Sequence, residues 1–178
     1  MTDVRMEFLP DPGPVGTAVR VRDFPAEGEL IQIEGVAHLG PDRKRIMPEG
    51  HWDWSMPVPF SQGWRVGNTV FCGGQISSDA KGRTIGKHDI ERQTANCFEF
   101  LTRLLEEAGA TMSDVVKLNT YYHYDGAPGG AADYWQKMMA AHRRYFPPQG
   151  PSATLVGIDG YAFEELLIEI EAIAVIDR

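Results

Sequence analysis

LIEIEAIAV, residues 167–175, is a strand-like stretch near the end of the chain, and its alternation decides how the fold is interpreted. With the two-residue period of a β-strand, Glu169 and Glu171 share one face with Ile173 and Val175, and the residues between them share the other. A charge among aliphatic side chains costs free energy unless it is paired or used in chemistry. The stretch therefore predicts a strand and, if that strand is central in a sheet, its two glutamates must be paired or used in chemistry.

A near copy of this stretch, LIQIEGVA, occupies residues 30–37 and has Gln32 where the later copy has Glu169. A shift of 137 superposes residues 8–37 on 145–174 with 11 identities in 30 positions, where typical residue frequencies give about two. We interpret residues 1–40 as a partial repeat and residues 41–178 as one complete unit. Because an isolated hairpin is marginal, we expect residues 17–21 and 30–38 to form a hairpin that adds to a sheet edge or covers a neighbour.

The complete unit has the element pattern of an α+β fold. Asp89 is a suitable N-cap and Gly109 a suitable C-terminal stop for an amphipathic helix between them. A second amphipathic helix follows the breaker APGG and ends at FPPQGP. Strands are predicted near residues 69–75, 115–122, 152–158 and 166–176. The order strand, helix, strand, helix, strand, strand predicts a sheet with both helices on one face.

Composition excludes several classes of protein. The net charge of −8 and the pI near 5.1 argue against a nucleic-acid partner. Two cysteines are too few for a disulfide framework or a thiolate zinc site, and His51 with Asp53, or His123 with Asp125, lacks further ligand spacing. We therefore expect no metal and no cofactor. No stretch has the length of a signal peptide core or a membrane span, so we expect a cytoplasmic protein with no membrane partner.

Four stretches together resemble one family. They are PFSQGWRVGNTVFCGGQI, DIERQTANCFEFLTRLLEEAGATMSDVVKLNTYY, RRYFPPQGPSATLVGI and IEIEAIAV, and they span roughly residues 57–176. These stretches are similar to the RidA (YjgF) family. The resemblance implies a chorismate-mutase-like α+β fold, a homotrimer, and ligand sites in clefts between subunits. It also implies hydrolysis of reactive enamines and imines to 2-keto acids and ammonia.

Transferred to this sequence, the family's site residues are only partly present. The catalytic acid falls on Glu169. The arginine that binds the substrate carboxylate falls on Ala153. The tyrosine, serine and asparagine of the family's substrate site fall on Phe60, Gly73 and Met139. The resemblance thus keeps the acid and replaces the polar anchors around it.

The chemistry of imine hydrolysis sets the functional prediction. A carboxylic acid whose pKa is raised by apolar neighbours can deliver a proton or orient water, whereas an arginine fork fixes a substrate carboxylate near that acid. We predict a protein that acts on or binds a small imine, enamine or carbonyl metabolite, with weak or no activity on simple 2-imino acids. Arg65, Arg143 and Arg144 are candidates to replace the missing cation.

Three questions remain open from the sequence. One alternative function is a non-enzymatic ligand-binding or regulatory trimer, and a second is an endoribonuclease-like family member. The role of HWDW, residues 51–54, is either a pocket wall or an aromatic plug that anchors a loop. The identity of the substrate is not encoded in any of these motifs.

Overall fold

A computed structural model of the protein describes residues 2–40, 42–54, 58–163 and 165–177. Its helices are α1 (Thr2–Phe8), α2 (Ile90–Ala108) and α3 (Ala131–Tyr145), with short 3₁₀ turns at Met112–Asp114 and Pro128–Gly130. Its strands are β1 (Arg43–Ile46), β2 (Gly63–Val66), β3 (Thr69–Ile76), β4 (Val115–His123), β5 (Ser152–Ile158) and β6 (Ile168–Val175).

The six strands form one mixed sheet in the order β1-β2-β3-β6-β4-β5. β4 and β5 are parallel, and the other neighbouring strands are antiparallel. β6, formed by the LIEIEAIAV stretch, pairs with β3 on one side and β4 on the other. The predicted α+β fold with two helices on one face of a mixed sheet is confirmed.

The helix-covered face of the sheet carries the main core. Ile168, Ile170, Ala172 and Ala174 alternate along β6, are buried, and pack with the apolar face of α2. Each of the two fully buried isoleucines contributes roughly 1.5–3 kcal/mol through removal of its side chain from water. The period-two pattern of β6 therefore fixes which side of the sheet the helices cover.

The ends of α2 are set by the two residues predicted to cap it. The Asp89 side chain accepts a hydrogen bond from the backbone N–H of Arg92 at 3.0 Å. Gly109 follows the last turn with φ of 78°, in the left-handed region where glycine is least strained. No helix within the described ranges is long and apolar enough to cross a membrane.

The other face of the sheet, which bears Glu169, Glu171, Ile173 and Val175, is called the open face here. Residues 13–20, which we call the strap, cross it from the β2 side to the β5 side. Pro14 accepts a hydrogen bond from Ser61 N–H at 3.1 Å, and Arg20 N–H donates to Gly160 at 2.9 Å. Six residue steps of extended chain reach about 20 Å, and the four strand spacings from β2 to β5 are about 19 Å. The strap is therefore nearly fully extended across the sheet.

The hairpin expected for residues 17–21 and 30–38 is not formed within the described part of the chain. No strand is assigned between α1 and β1, and Arg20 makes only an isolated bridge with Gly160. The reason lies in the order of the complete unit. Residues 15–21 correspond to β5 and residues 31–38 to β6, and β4 lies between those two strands. Among the described residues no strand takes the place of β4 between these two segments, so they have no common partner.

Candidate functional site

A bulge in β3 creates the recess that holds the Glu169 carboxylate. The register between β3 and β6 shifts between Cys72 and Gln75, where GlyGly interrupts β3. A Cβ on Gly74 would lie 1.8 Å from Glu169 Oε1, which is closer than atoms can approach. Only glycine at position 74 therefore leaves room for the Glu169 carboxylate to lie against the β3 backbone.

The strap closes the recess from the solvent side. Gly74 N–H donates to the Gly16 carbonyl at 3.1 Å. The backbone N–H of Ala18 hydrogen-bonds the Glu169 carboxylate and favours its ionised form. Glu169 is left only 6% exposed. The acid therefore lies between the bulge below and the strap above.

The electrostatics of the recess keep Glu169 protonated at neutral pH. Burial, followed by the charge of Glu171, raises the pKa of Glu169 to about 8, against the opposing effect of Ala18 N–H. At pH 7 a group with this pKa is about nine-tenths protonated. The recess thus holds a carboxylic acid that is able to donate a proton under neutral conditions.

Glu171, two residues further along β6, has a different environment. Asn119 Nδ2 donates to its carboxylate at 2.7 Å, Tyr121 OH at 3.4 Å, and Thr17 Oγ1 from the strap also donates to it. The two glutamates of one strand face therefore have separate roles, with Glu171 holding the strap to the sheet and Glu169 holding a proton.

The residues at positions 51–54 support the bulge from below. The Gln75 side-chain carbonyl accepts from Trp52 Nε1 at 3.0 Å and lies 2.7 Å from His51 Nε2, while Gln75 Nε2 donates to the Gly73 carbonyl at 3.0 Å. Burial lowers the pKa of His51, so its ring is neutral and its Nε2 carries the proton donated to Gln75. His51 and Trp52 are thus a buried anchor, and through Gln75 they fix the backbone beside Glu169.

One of the four predicted substrate positions, Gly73, lies in the bulge that holds Glu169, and a second, Phe60, packs in an aromatic cluster with Ile76, the strand partner of Glu169. Gly73 lies in the bulge, beside Gly16 of the strap. Phe60 is buried in the aromatic cluster beneath, 5.6 Å from the Trp52 ring.

The other two substrate positions are remote from Glu169 within one chain. Met139 lies on α3, which covers the opposite face of the sheet. Ala153 lies on β5, pairs with Leu118 and shares the helix-covered face with Leu155. A site that uses these two positions together with Glu169 needs a second copy of the chain.

The basic residues proposed as replacement cations have other partners or lie elsewhere. Arg65 donates to the carbonyls of Gly67 and Ala108 at 2.9 and 2.8 Å, and Arg144 pairs with Glu91. Arg143 is exposed on α3. None of these contacts involves the strap or the bulge.

A basic residue that the sequence analysis missed does lie next to the site. Arg20, at the end of the strap, lines a cavity of about 190 Å³ with His123 and Tyr161, and its Nε lies 3.6 Å from Asp159 Oδ2. Within the described ranges, no group of three or more potential metal ligands is present.

The strap was the main feature that sequence reasoning did not find. Thr17 and Ala18 contact the two glutamates through single hydrogen bonds across about 150 residues of sequence. The sequence feature that could have pointed to these two residues is the repeat, which pairs Thr17 with Thr154 on β5. It indicated that the segment resembles a strand, but not that it crosses the sheet face.

Comparison with known proteins gives a consistent set of relatives. The family model described as endoribonuclease L-PSP matches residues 55–176. A RutC family protein from Pyrococcus abyssi is 36% identical over 116 residues, which cover 65% of this chain and 85% of that protein. A 2-iminobutanoate/2-iminopropanoate deaminase from Dermatophagoides farinae is 28% identical over 120 residues, or 67% of this chain and 87% of the relative. A solved structure of a YjgF/YER057c/UK114 family member from Mycobacterium tuberculosis has a TM-score of 0.60 at 25% identity and covers 75% of this chain and 99% of that one.

Proposed function

The chain belongs to the endoribonuclease L-PSP family, the family of the RidA (YjgF) proteins, and we propose that it hydrolyses a small imine or enamine metabolite with Glu169 as the acid and base. The observation that carries this proposal is the buried carboxyl of Glu169, whose pKa is raised to about 8. One relative is described as a 2-iminobutanoate/2-iminopropanoate deaminase, which supports the reaction class.

In the proposed reaction the Glu169 carboxyl group both donates and accepts protons. Protonated Glu169 donates to the imine nitrogen, which makes the imine carbon more electrophilic. A water molecule adds to that carbon and returns a proton to the carboxylate. Glu169 then donates this proton to the amine nitrogen of the tetrahedral intermediate, the C–N bond breaks with release of ammonia, and the hydroxyl proton passes to the carboxylate as the carbonyl forms. A pKa near the working pH suits a group that must give and regain a proton in each turnover.

We propose that the preferred substrate lacks a carboxylate next to the imine carbon. The arginine position of the family is Ala153, and its counterpart in the repeat is Gly16, so neither copy supplies a guanidinium there. A charged hydrogen bond contributes about 1.5–3 kcal/mol, so its loss weakens binding of a 2-imino acid by roughly 10- to 150-fold. Activity on 2-iminopropanoate and 2-iminobutanoate is therefore expected to be weak.

We further propose a homotrimer as the working form. Ala153 and Met139 are carried by elements on the side of the sheet opposite Glu169. A neighbouring copy is the source that would bring such positions to the cleft.

The deciding experiment measures ammonia release from imines. Wild-type protein is given imines made by oxidising simple amines, and in parallel the 2-imino acids made by a serine or threonine dehydratase. Accelerated release is expected from the first set, and Glu169→Gln is expected to lower it by about 10²- to 10⁴-fold. Glu34→Gln is the matched control, because Glu34 is an exposed glutamate in the repeat at the position of Glu171.

Two results would contradict the proposal. One is equal rates for wild type and Glu169→Gln with every imine that is accelerated. The other is rapid turnover of the dehydratase products at ordinary enzyme levels, which would overturn the substrate preference.

A second candidate is a ligand-binding trimer without turnover. The observation that favours it is the strap itself, since Gly16 and Ala18 already contact the bulge and the Glu169 carboxylate. A binding protein would show saturable, pH-dependent binding of a carbonyl compound and no release of ammonia. An endoribonuclease role would instead require salt-sensitive RNA binding, which the net charge of −8 opposes.

A further inference from the structure

Residues 30–39, which we call the arm, form an unpaired apolar segment. Leu30, Ile33, Val36 and Leu39 are 90, 81, 78 and 97% exposed. No hydrogen bond joins the arm to any described residue. Extended chain with this much apolar surface and unpaired backbone is a template for pairing with another strand.

The arm repeats the sequence of the strand that forms the middle of the sheet. Ile31 and Ile33 correspond to Ile168 and Ile170, which are fully buried beneath the helices in β6. Glu34 corresponds to Glu171 on the open face. The arm therefore carries the side-chain pattern of a strand with one face covered by helices, but no described helix covers it.

The sheet offers one long free edge that matches this pattern. β5 is the last strand in the order and pairs only with β4 among the described strands. Beside it, α3 overhangs a cleft of about 310 Å³ whose lining includes Tyr134, Trp135 and Gly157. The Trp135 side chain is 40% exposed there. A strand added along β5 would place alternate side chains in this cleft.

Charge on the opposite side of such a strand is complementary. If Ile31 and Ile33 point into the cleft, Glu34 points to the open face. On that face Lys117 of β4 donates to Thr154 of β5 at 2.5 Å, so a basic group is present one strand away.

Chain length prevents the arm from reaching the β5 edge of its own sheet. β1 begins at Arg43 on the opposite edge, and a strand beside β5 lies six strand spacings from it, about 29 Å. The four residue steps from Leu39 to Arg43 reach at most about 14 Å. An arm that pairs over its whole length, with Leu39 beside β5, can therefore occupy this edge only in another copy of the chain.

We propose that the arm of one copy adds as a strand to the β5 edge of a second copy, with Ile31 and Ile33 in the cleft beneath α3. Because arm and edge are different surfaces, the contact is heterologous, and copies joined this way close into a ring when the rotation between them permits. The proposal concerns assembly and does not depend on the chemistry of Glu169.

Cross-linking between two differently tagged chains tests the contact. One chain carries Glu34→Cys and the other Thr154→Cys, both exposed positions on the open-face side, and a short bismaleimide joins nearby thiols. The native Cys72 and Cys97 are buried, and burial raises the pKa of both thiols, so they react slowly. A covalent heterodimer is expected in the mixture, and adding Ile33→Asp to the arm is expected to abolish it.

The control chain carries Glu7→Cys, another exposed glutamate of the N-terminal region, and sets the background with the Thr154→Cys chain. Hydrogen exchange gives an independent readout, in which amides of residues 31–38 are protected at high protein concentration and lose protection in Ile33→Asp. Cross-linking no higher than this background overturns the proposal. So does a link formed within one chain that carries both cysteines, or a heterodimer that is unaffected by Ile33→Asp.

Discussion

Replacing Glu169 by glutamine removes a titrating group while keeping the size of the side chain. Glutamine already stands at the equivalent position of the repeat, as Gln32. The variant therefore isolates the effect of the proton from the effect of packing. The stability of the two proteins is expected to differ in its dependence on pH.

The sign and size of this difference follow from the raised pKa. Between pH 4.5 and 8 the unfolded chain releases the Glu169 proton while the folded chain keeps it, so the free energy of unfolding falls as the pH rises. A pKa moved from its ordinary value of 4.5 to about 8, at 1.36 kcal/mol per pH unit, corresponds to about 5 kcal/mol. Glu169 is almost fully buried, so solvent screens little of this effect. Relative to Glu169→Gln, the wild type is thus most stable below pH 4.5 and loses about 5 kcal/mol by pH 8.

Thermal unfolding of both proteins from pH 4 to pH 9 measures the difference. For a chain of this length 1 kcal/mol changes the midpoint by roughly 2–4 °C, so the gap between the two midpoints should change by about 10–20 °C across the range. Titrating groups that do not interact with Glu169 affect both proteins equally and cancel in the comparison. If the two midpoints instead follow parallel curves from pH 4.5 to 8, Glu169 has an ordinary pKa and the argument for a neutral buried acid fails.

Three further substitutions test the surroundings of the recess. Gly74→Ala is expected to destabilise the fold by about 1–3 kcal/mol through overpacking, measured by urea unfolding, and Glu169→Ala in the same chain should restore most of the loss because it removes the clashing carboxylate. Gln75→Leu leaves the buried His51 and Trp52 donors without their acceptor and should cost about 1–3 kcal/mol for each, and Gln75→Glu, which loses the hydrogen bonds that Gln75 Nε2 donates to Gly73 and Gln62, should cost at least as much. Ala153→Arg should raise keto-acid release from 2-iminopropanoate by about 10- to 150-fold, and Ala153→Gln, which has no charge, should not; an unchanged rate in Ala153→Arg would show that this position does not face a substrate carboxylate.

The sequence predicted the parts of the fold that depend on periodicity and on local capping. β6 was identified from strict alternation, and α2 from its apolar face with Asp89 before it and Gly109 after it. These features are encoded within a few residues of where they act. The candidate acid was also predictable, because Glu169 lies between two isoleucines of a strand, and apolar neighbours raise the pKa of a carboxyl group.

The path of the N-terminal region could not be predicted in the same way. The strap has no periodic pattern, and its contacts with Gly74, Glu169 and Glu171 connect segments far apart in the chain. The expected hairpin required two segments to pair directly, although their counterparts β5 and β6 are separated by β4. Similarity to a strand predicts an extended backbone, but the partner of that backbone is set by the rest of the sheet.

The difference between Glu169 and Gln32 connects the energetics to the proposed function. At pH 8 the acid makes the fold about 5 kcal/mol less stable than it is below pH 4.5, and a glutamine of the same size would avoid this cost. The recess around Glu169 is built from the bulge, the strap and the Gln75 network. Each part positions the carboxyl group, and none pairs it with a cationic side chain. Among the described residues none of these parts is hydrogen-bonded to the arm, where glutamine occupies the equivalent position. Glu169 lowers the stability of the fold at pH 8, yet the recess is built around it, and Gln32 replaces it in the arm. A requirement for the Glu169 proton best explains this difference.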